Sequence, residues 1–166
     1  MEGVFRIPMI HESAIIDTDL TNIGEGTKIW AFSHICKNAI IGKNCVIGEG
    51  VYIGPEVVIG DNCKIQNHCL IYKGVNIGNN VFIGPNVVTT NDNFPRANGD
   101  WTDRFKETFI KDGVSICANS TIICGITLNE NCMIGAGSTV TKNIKSDYLA
   151  YGNPARHIRK INESIN

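Results

Sequence analysis

Large aliphatic side chains recur at every sixth position over most of this chain. They are Ile23, Ile29, Ile35, Ile41, Ile47, Ile53, Ile59, Ile65, Ile71, Ile77 and Ile83, and then Ile116, Ile122, Leu128, Ile134 and Val140. A smaller side chain stands two residues before each isoleucine of the first series, and glycine often follows it. Helices repeat near 3.6 residues and strands at two, whereas a β-solenoid buries one large and one small residue per short strand. The pattern therefore predicts an all-β, parallel β-helix of hexapeptide repeats.

The stacking of coils brings distant residues together. With three hexapeptides in each coil, residues 18 apart stack at a spacing of about 4.8 Å. Tyr72 then lies one coil below Thr90, and Lys73 one coil below Asn91. Asn67 and His68 stand a few residues back along the same coil. We expect these polar side chains to gather in one cluster.

The hexapeptide register is interrupted once. The residues between Thr89 and Ile116 are polar and charged, and they carry Phe94, Trp101, Phe105 and Phe109 among them. We predict a protruding loop over about 90–113. A long ordered loop in a compact domain is usually functional, and the alternative is a tolerated surface insertion.

The two ends of the chain depart from the repeat. The segment up to Asp19 predicts a degenerate coil that caps the stack with Ile10 and Ile16. At the other end, Pro154 followed by Ile158 and Ile161 at helical spacing predicts a short C-terminal helix over about 154–165. Residues 1–166 are expected to form a single domain.

Size and charge narrow the choice of partners. The 166 residues carry a net charge of −1 and have a pI near 6.4, which favours neither a nucleic-acid partner nor a membrane-surface partner. The longest apolar runs are shorter than the ~18 residues of a membrane span, and the first sixteen residues resemble neither a signal nor a transit peptide. We expect a cytoplasmic protein.

The seven cysteines predict packing rather than metal binding. Cys45, Cys63, Cys69 and Cys132 occupy the small-residue position of the repeat, where a thiol is a compact apolar filler. The sequence contains no Cys-x-x-Cys pair. Structural thiols are therefore expected, and no metal site.

Five segments resemble a known family. They are IWAFSHI (29–35), KIQNHCLIYKGVNI (64–77), VFIGPNVVTTNDNFPR (81–96), IGAGSTVTKNI (134–144) and YGNPAR (151–156). They are similar to the left-handed β-helix hexapeptide acyltransferases, and most similar to N-acetyltransferases of nucleotide-linked 3-amino sugars. The resemblance implies a left-handed β-helix and a homotrimer. It also implies that acetyl-CoA binds as co-substrate between neighbouring subunits, and that a dTDP- or UDP-linked amino sugar binds near the loop.

The same resemblance suggests which residues contact CoA: Gly135, Ala136, Lys142, Pro154 and Arg156. Small residues let the pantetheine arm approach backbone amides, and cationic side chains suit its phosphates. The alternatives are ordinary repeat packing for the two small residues and solvated surface charge for the two basic ones.

The start of the loop is the candidate catalytic segment. Many O-acetylating relatives use a histidine in the loop region as general base, but here the loop begins Thr90-Asn91-Asp92 and contains no histidine. That difference favours an amine acceptor, which Asn91 and Asp92 would bind and orient. A neighbouring carboxylate raises the pKa of an amine, so the proton would leave to the CoA thiolate or to water. His68 is the other candidate base, and its alternative is a solvent-facing role.

Six further residues are candidates for binding the sugar nucleotide: Asn67, Tyr72, Lys73, Arg96, Trp101 and His34. Arg96 suits the phosphates, His34 suits a ligand or a subunit contact, and Trp101 either stacks on a base or sugar or holds the loop closed.

The leading prediction is an acetyl-CoA-dependent N-acetyltransferase that makes a 3-acetamido sugar nucleotide for bacterial surface glycans. O-acetylation of a sugar, or another acyl-CoA, remains an alternative. A metal enzyme similar to γ-type carbonic anhydrases needs converging imidazoles, but the stacking columns of His34 and His68 do not coincide. A non-catalytic scaffold or ice-binding solenoid is a third possibility, although ice binding calls for long ranks of threonine and Thr89-Thr90 is an isolated pair.

Overall fold

The computed structural model describes residues 7–98 and 102–161, which wind into a parallel β-helix. Its strands, in chain order, are β1 (Met9–Ile10), β2 (Ile15–Ile16), β3 (Lys28–Ile29), β4 (His34–Ile35), β5 (Ile40–Ile41), β6 (Val46–Ile47), β7 (Tyr52–Ile53), β8 (Val58–Ile59), β9 (Lys64–Ile65), β10 (Leu70–Ile71), β11 (Val75–Ile77), β12 (Phe82–Ile83), β13 (Val88–Thr89), β14 (Thr108–Ile110), β15 (Ser115–Ile116), β16 (Thr121–Ile122), β17 (Thr127–Leu128), β18 (Met133–Ile134), β19 (Thr139–Val140), β20 (Tyr148–Gly152) and β21 (Ala155–Lys160). Short 3-10 helices lie at Leu20–Asn22 and Thr102–Arg104.

The strands form three faces of a prism. Face A has the order β1-β3-β6-β9-β12-β15-β18-β20-β21, face B the order β2-β4-β7-β10-β13-β16-β19, and face C the order β5-β8-β11-β14-β17. Most neighbouring strands pair in parallel with partners 18 residues apart, as for Ile47 and Ile65. The predicted all-β solenoid of hexapeptide repeats, with three repeats to a coil, is confirmed, and its parallel architecture is consistent with the left-handed β-helix.

The turns between the faces are named here by the faces they join. The AB corner comprises residues 30–33, 48–51, 66–69, 84–87, 117–120 and 135–138, and the BC corner comprises 36–39, 54–57, 72–74, 90–107 and 123–126. Apart from the long excursion at 90–107, each of these turns has a residue in the left-handed backbone region, and most of these residues are Asn or Gly, which adopt it readily. Phe32 (φ 57°), Glu56 (φ 61°) and His68 (φ 59°) are exceptions.

The interior is a stack of isoleucines, with the small residues packed beside them. Ile29, Ile47 and Ile65 are fully buried on face A. The small position does more than fill space, because its hydroxyl or thiol donates to a glycine carbonyl in the next coil. Ser33 Oγ donates to the Gly48 carbonyl at 2.7 Å, and Cys69 Sγ to the Gly84 carbonyl at 3.0 Å. The predicted structural role of these cysteines thus includes a hydrogen bond.

Burial makes two of these thiols unreactive. It raises the pKa of Cys69 to about 11 and that of Cys132 to about 12, because a thiolate would be poorly solvated there. We expect a thiol reagent at pH 8 to modify the half-buried Cys117 in the native protein, and Cys69 and Cys132 only after unfolding. In the unfolded chain the pKa of each of these two thiols is near 9.0, so the unfolded state loses their protons before the folded state does. The free energy of unfolding should therefore fall as the pH rises from 9 towards 11. Mass spectrometry of native and denatured samples would locate each modification, and early labelling of Cys69 would contradict the expectation.

The loop is shorter than predicted. β14 pairs with β11 so that Ile77 faces Ile110, 33 residues away instead of 18. Ile110 is buried in the core and Thr108 occupies the small position. The solenoid therefore resumes at β14, and the excursion covers residues 90–107 rather than 90–113.

The ends of the prism are closed differently. β1 and β2 pair with β3 and β4, which confirms the predicted N-terminal capping coil. The predicted C-terminal helix is wrong over Ala155–Lys160, which forms β21 antiparallel to β20. β20 extends face A, and β21 supplies hydrogen-bonding partners to its open edge. The remainder of the predicted helix, from 162 onward, lies outside the described residues. No helix in the described ranges is long and apolar enough to cross a membrane.

Candidate active site

The loop leaves the solenoid at the BC corner and is closed at its base. The Lys106 N–H donates to the Asn91 carbonyl at 3.0 Å, which joins the returning arm to the outgoing arm. The next coil holds the outgoing arm as well: the Cys124 N–H donates to Thr90 Oγ1 at 2.9 Å, and the Cys124 thiol to Asn93 Oδ1 at 3.1 Å. Asn91 is thus held in place by contacts on both sides.

Asp92 and Arg104 join the two arms a second time. Asp92 Oδ1 accepts the Phe94 N–H at 2.7 Å, and Asp92 Oδ2 lies 3.8 Å from Arg104 Nε. Arg104 also donates to the Phe94 carbonyl at 3.1 Å. The side chain of Asp92 is only 12% exposed. A carboxylate held in this way orders the loop beside Asn91.

A cavity of ≈ 340 Å³ opens between the loop and the BC corner. Its lining residues are Tyr52, Pro55, Tyr72, Lys73, Asn91 and Phe105. Most of this wall is aromatic or aliphatic carbon. The polar residues of the lining include Asn91 and Lys73, and the Lys73 ammonium lies 3.0 Å from Glu56 Oε2. The predicted proximity of Tyr72, Lys73 and Asn91 is therefore present in the structure.

An adjoining cavity of ≈ 250 Å³ brings Arg96 into the same region. It is lined by Asn91, Asp92, Pro95, Arg96 and Phe105. Arg96 is exposed, and its guanidinium donates to the Pro95 carbonyl at 2.9 Å. Asn91 and Phe105 line both cavities, so the two form one site on either side of these residues.

A series of aromatic rings runs along face B and reaches this site at the BC corner. The His34 and Tyr52 rings meet edge to face with centroids 5.7 Å apart, and Tyr52 and Tyr72 lie 5.6 Å apart. Asp17 Oδ2 lies 2.7 Å from His34 Nε2 and orients the imidazole. The hydrogen bond with Cys36, together with burial, raises the pKa of Tyr52 to about 12. Tyr52 is therefore a neutral phenol at the cavity wall.

Asn67 and His68 do not join the predicted polar cluster. Both lie on the AB corner, with the whole width of face B between them and the loop. Asn67 lines a separate cavity of ≈ 350 Å³. A Cβ placed on Gly50 would lie 2.5 Å from His68 Nδ1, so the imidazole packs on the bare backbone of the coil below. Within one chain, His68 is remote from Asn91.

The candidate CoA residues are divided between the corners and the terminal hairpin. Gly135 and Ala136 lie on the AB corner, and a Cβ on Gly135 would lie 2.7 Å from Tyr151 Cβ. Lys142 follows β19 and is exposed. Pro154 and Arg156 are exposed on the hairpin of β20 and β21. Trp101 lies outside the described residues.

The sequence reasoning did not assign roles to Phe105, Arg104 and Tyr52 at this site. The 18-residue column through His34 and Leu70 contains Tyr52, so stacking arithmetic was the available signal for that residue. Phe105 and Arg104 return with the far arm of the loop, and their positions depend on its closure. No group of three or more His, Cys, Asp or Glu side chains in the described residues is arranged to hold a metal ion.

Comparison with known proteins agrees with this geometry. The family described as bacterial transferase hexapeptide (six repeats) matches residues 20–55, 56–91 and 107–142. The chain belongs to this family of hexapeptide-repeat transferases. It is 50% identical, over 147 residues, to the dTDP-3-amino-3,6-dideoxy-alpha-D-galactopyranose 3-N-acetyltransferase of Aneurinibacillus thermoaerophilus, and the match covers 89% of this chain and 75% of that one. The predicted membership of the acyltransferase superfamily is confirmed.

Solved structures show the same fold. A hexapeptide-repeat acetyltransferase of Vibrio cholerae, in complex with acetyl coenzyme A, is 26% identical with a TM-score of 0.58, covering 70% of this chain and 71% of that one. An N-acyltransferase from Bacillus cereus, in complex with dTDP-4-amino-4,6-dideoxyglucose and coenzyme A, is 19% identical with a TM-score of 0.59 over 95% of this chain and 85% of that one.

Proposed function

We propose that this protein transfers the acetyl group of acetyl-CoA to the 3-amino group of a dTDP- or UDP-linked amino-deoxy sugar. The observation that carries the proposal is the 50% identity with the Aneurinibacillus enzyme over 89% of this chain. The cavity beside Asn91 supports it, because a carbon-lined wall with few polar groups suits a deoxy sugar. The product would be a building block for bacterial surface glycans, made in the cytoplasm.

In this proposal the residues around the cavity have separate roles. The Asn91 carboxamide binds the amine, while Asp92 acts on Asn91 through the loop. Tyr72 and Phe105 pack against the carbon face of the sugar. Arg96, at the other side of Asn91, and Lys73 lie where phosphate oxygens of the nucleotide would be attracted.

The reaction requires that the sugar amine be held against the thioester of acetyl-CoA and that the amine lose one proton. The neutral amine nitrogen attacks the thioester carbonyl carbon; the C–N bond forms as the C–S bond breaks. The departing CoA thiolate accepts the proton that the nitrogen loses, which balances the step without a protein base. Holding the amine and the thioester in contact accounts for much of the rate enhancement. The low demand for a base fits a loop that has no histidine.

A homotrimer would unite residues that one chain keeps apart. Asn67, His68, Gly135 and Ala136 lie on the AB corner, and the loop lies on the BC corner. If the AB corner of one copy faces the loop of the next, both sets border one groove for sugar and CoA. Light scattering should then give three times the chain mass of 18.1 kDa.

The function is tested by incubating the protein with acetyl-CoA and a panel of dTDP- and UDP-linked 3-amino and 4-amino sugars. Mass spectrometry reports the product directly, without thiol dyes that would react with the protein. Addition of one acetyl group to a 3-amino substrate is expected. Acetylation of free sugars at a hydroxyl would establish O-acetyltransfer instead, and no product from a folded trimer would contradict the proposed acyl donor or acceptor.

The link from Arg104 to Asp92 predicts a measurable effect on this activity. Arg104→Met should lower kcat/KM by about 10–100-fold, because displacement of a positioning loop misplaces the reacting groups. The KM for the amino sugar should rise while the KM for acetyl-CoA stays constant. Arg104→Lys keeps the charge without the planar fork, so partial recovery is expected. An equal rise in both KM values would show general loss of structure instead.

A further inference from the structure

The separate cavity of ≈ 350 Å³ lies on the AB corner, away from the loop. It is lined by His11, Trp30, Ala31, Val46, Gly48, Glu49, Gln66 and Asn67. These residues come from four successive coils that the backbone ladder holds in register. The Trp30 N–H donates to the Ile47 carbonyl at 3.0 Å and the Gln66 N–H to the Ile83 carbonyl at 2.8 Å. The cavity is therefore a built feature of the solenoid wall.

The polar groups at this cavity have defined hydrogen-bonding roles. Asn67 Oδ1 accepts the Glu49 N–H at 3.1 Å, so the part of Asn67 available to a ligand is its NH₂ group, which donates. The Glu49 carboxylate is exposed and accepts. Trp30 is 46% exposed and offers a flat indole beside them.

This combination fits a nucleobase that has a carbonyl next to a ring N–H. Thymine and uracil have an imide edge on which a ring N–H lies between two carbonyl oxygens. Such an edge requires a protein acceptor next to a protein donor, and the ring faces require a flat partner. Guanine also presents a carbonyl next to a ring N–H on its Watson–Crick edge, so it is the proposed dTDP- or UDP-linked substrate that makes a pyrimidine the expected occupant.

We infer that the AB-corner cavity binds the pyrimidine base of the nucleotide sugar. Trp30 stacks on the ring, the Asn67 NH₂ donates to a ring carbonyl, and the Glu49 carboxylate accepts the ring N–H. This inference rests on the proposed function. It adds a base subsite on the corner that the proposed trimer places opposite a neighbour's loop.

Fluorescence tests base binding without any turnover. The chain has two tryptophans, so Trp101→Phe leaves Trp30 as the single reporter and Trp30→Phe leaves Trp101. We expect dTDP and UDP to quench Trp30, and inorganic pyrophosphate, which has no base to stack on the indole, to leave its fluorescence unchanged. Quenching of Trp101 alone, or equal quenching of Trp30 by pyrophosphate, would overturn the inference.

Kinetics provide the second test. Trp30→Ala should raise the KM for the nucleotide sugar by about 5–150-fold, the range expected for loss of one base stack, with the KM for acetyl-CoA unchanged. Phe32→Ala is the matched control, because Phe32 is an exposed aromatic residue of the same corner that does not line the cavity. An unchanged KM in Trp30→Ala overturns the inference. So does dissociation of the trimer by Trp30→Ala with no change in dTDP binding, since Trp30 would then belong to a contact between copies.

The base site and the proposed reaction can be disproved separately. If dTDP quenches Trp30 but no amino sugar is acetylated, the base site stands and the proposed reaction does not. If acetyl transfer occurs with normal KM in Trp30→Ala, the reaction stands and the base site does not.

Discussion

Replacing Asn91 with alanine should lower kcat/KM for the nucleotide-linked amino sugar by about 10²–10³-fold, the effect seen when one preorganised polar group is removed from a reacting centre. Asn91 lines both cavities of the candidate active site. Its backbone carbonyl accepts a hydrogen bond from Lys106, so the loop base should persist when the side chain is shortened. Steady-state kinetics with both substrates would measure the loss, and circular dichroism and light scattering would verify the fold and the assembly.

Asn98 provides a matched control for that experiment. It is an exposed asparagine of the same loop and lines neither cavity that contains Asn91. Asn98→Ala should keep kcat/KM within about twofold of the parent, as for surface changes away from a site. Near-normal activity in Asn91→Ala, or an equal loss in both variants, would contradict the role given to the Asn91 carboxamide.

Truncating Ile65 to alanine should lower the free energy of unfolding by about 2–5 kcal/mol, the range for a large-to-small change in a close-packed core. Ile65 is fully buried and stacks between Ile47 and Ile83 on face A. Each coil packs mainly on its neighbours, so a cavity in one coil weakens contacts on both sides. Urea denaturation at a fixed protein concentration would measure the change, because the proposed trimer would make the apparent stability depend on concentration.

Ile40 supplies the comparison within the same repeat. It precedes the buried Ile41 on face C but is 46% exposed, so Ile40→Ala removes the same atoms from a surface position. Its cost should stay below about 1 kcal/mol. A similar loss in both variants would show that exposed isoleucines of this chain are buried in the assembly.

The hydrophobic period predicted the core because each coil must bury its own isoleucines. Ile29 through Ile83 occupy the interior as the six-residue spacing requires. The same rule also placed Tyr72 beneath the start of the loop. The rule did not locate the end of the loop. Ile110 is in register, six residues before Ile116, but most residues around it are polar or charged, so the pattern assigns the segment to the loop.

The C-terminal prediction failed for a reason that is not local. Ile158 and Ile161 have helical spacing, yet Ala155–Lys160 lies beside β20, where it completes the hydrogen bonds of an open sheet edge. The spacing of apolar residues is a property of one segment alone. Strand pairing depends instead on the backbone N–H and C=O groups that the last coil of the solenoid leaves without partners.

The sequence by itself determined the β-helix, its repeat, the point at which the loop leaves it and the resemblance to sugar N-acetyltransferases, because each depends on residues close in the chain or on a fixed 18-residue offset. Only the tertiary structure decided which corner each candidate residue occupies. It placed Asn91 with Tyr72 and Phe105, moved Asn67 and His68 to the AB corner, and paired Asp92 with Arg104. Loop closure and the folding of a coil into three faces set these distances, and neither leaves a periodic trace in the sequence.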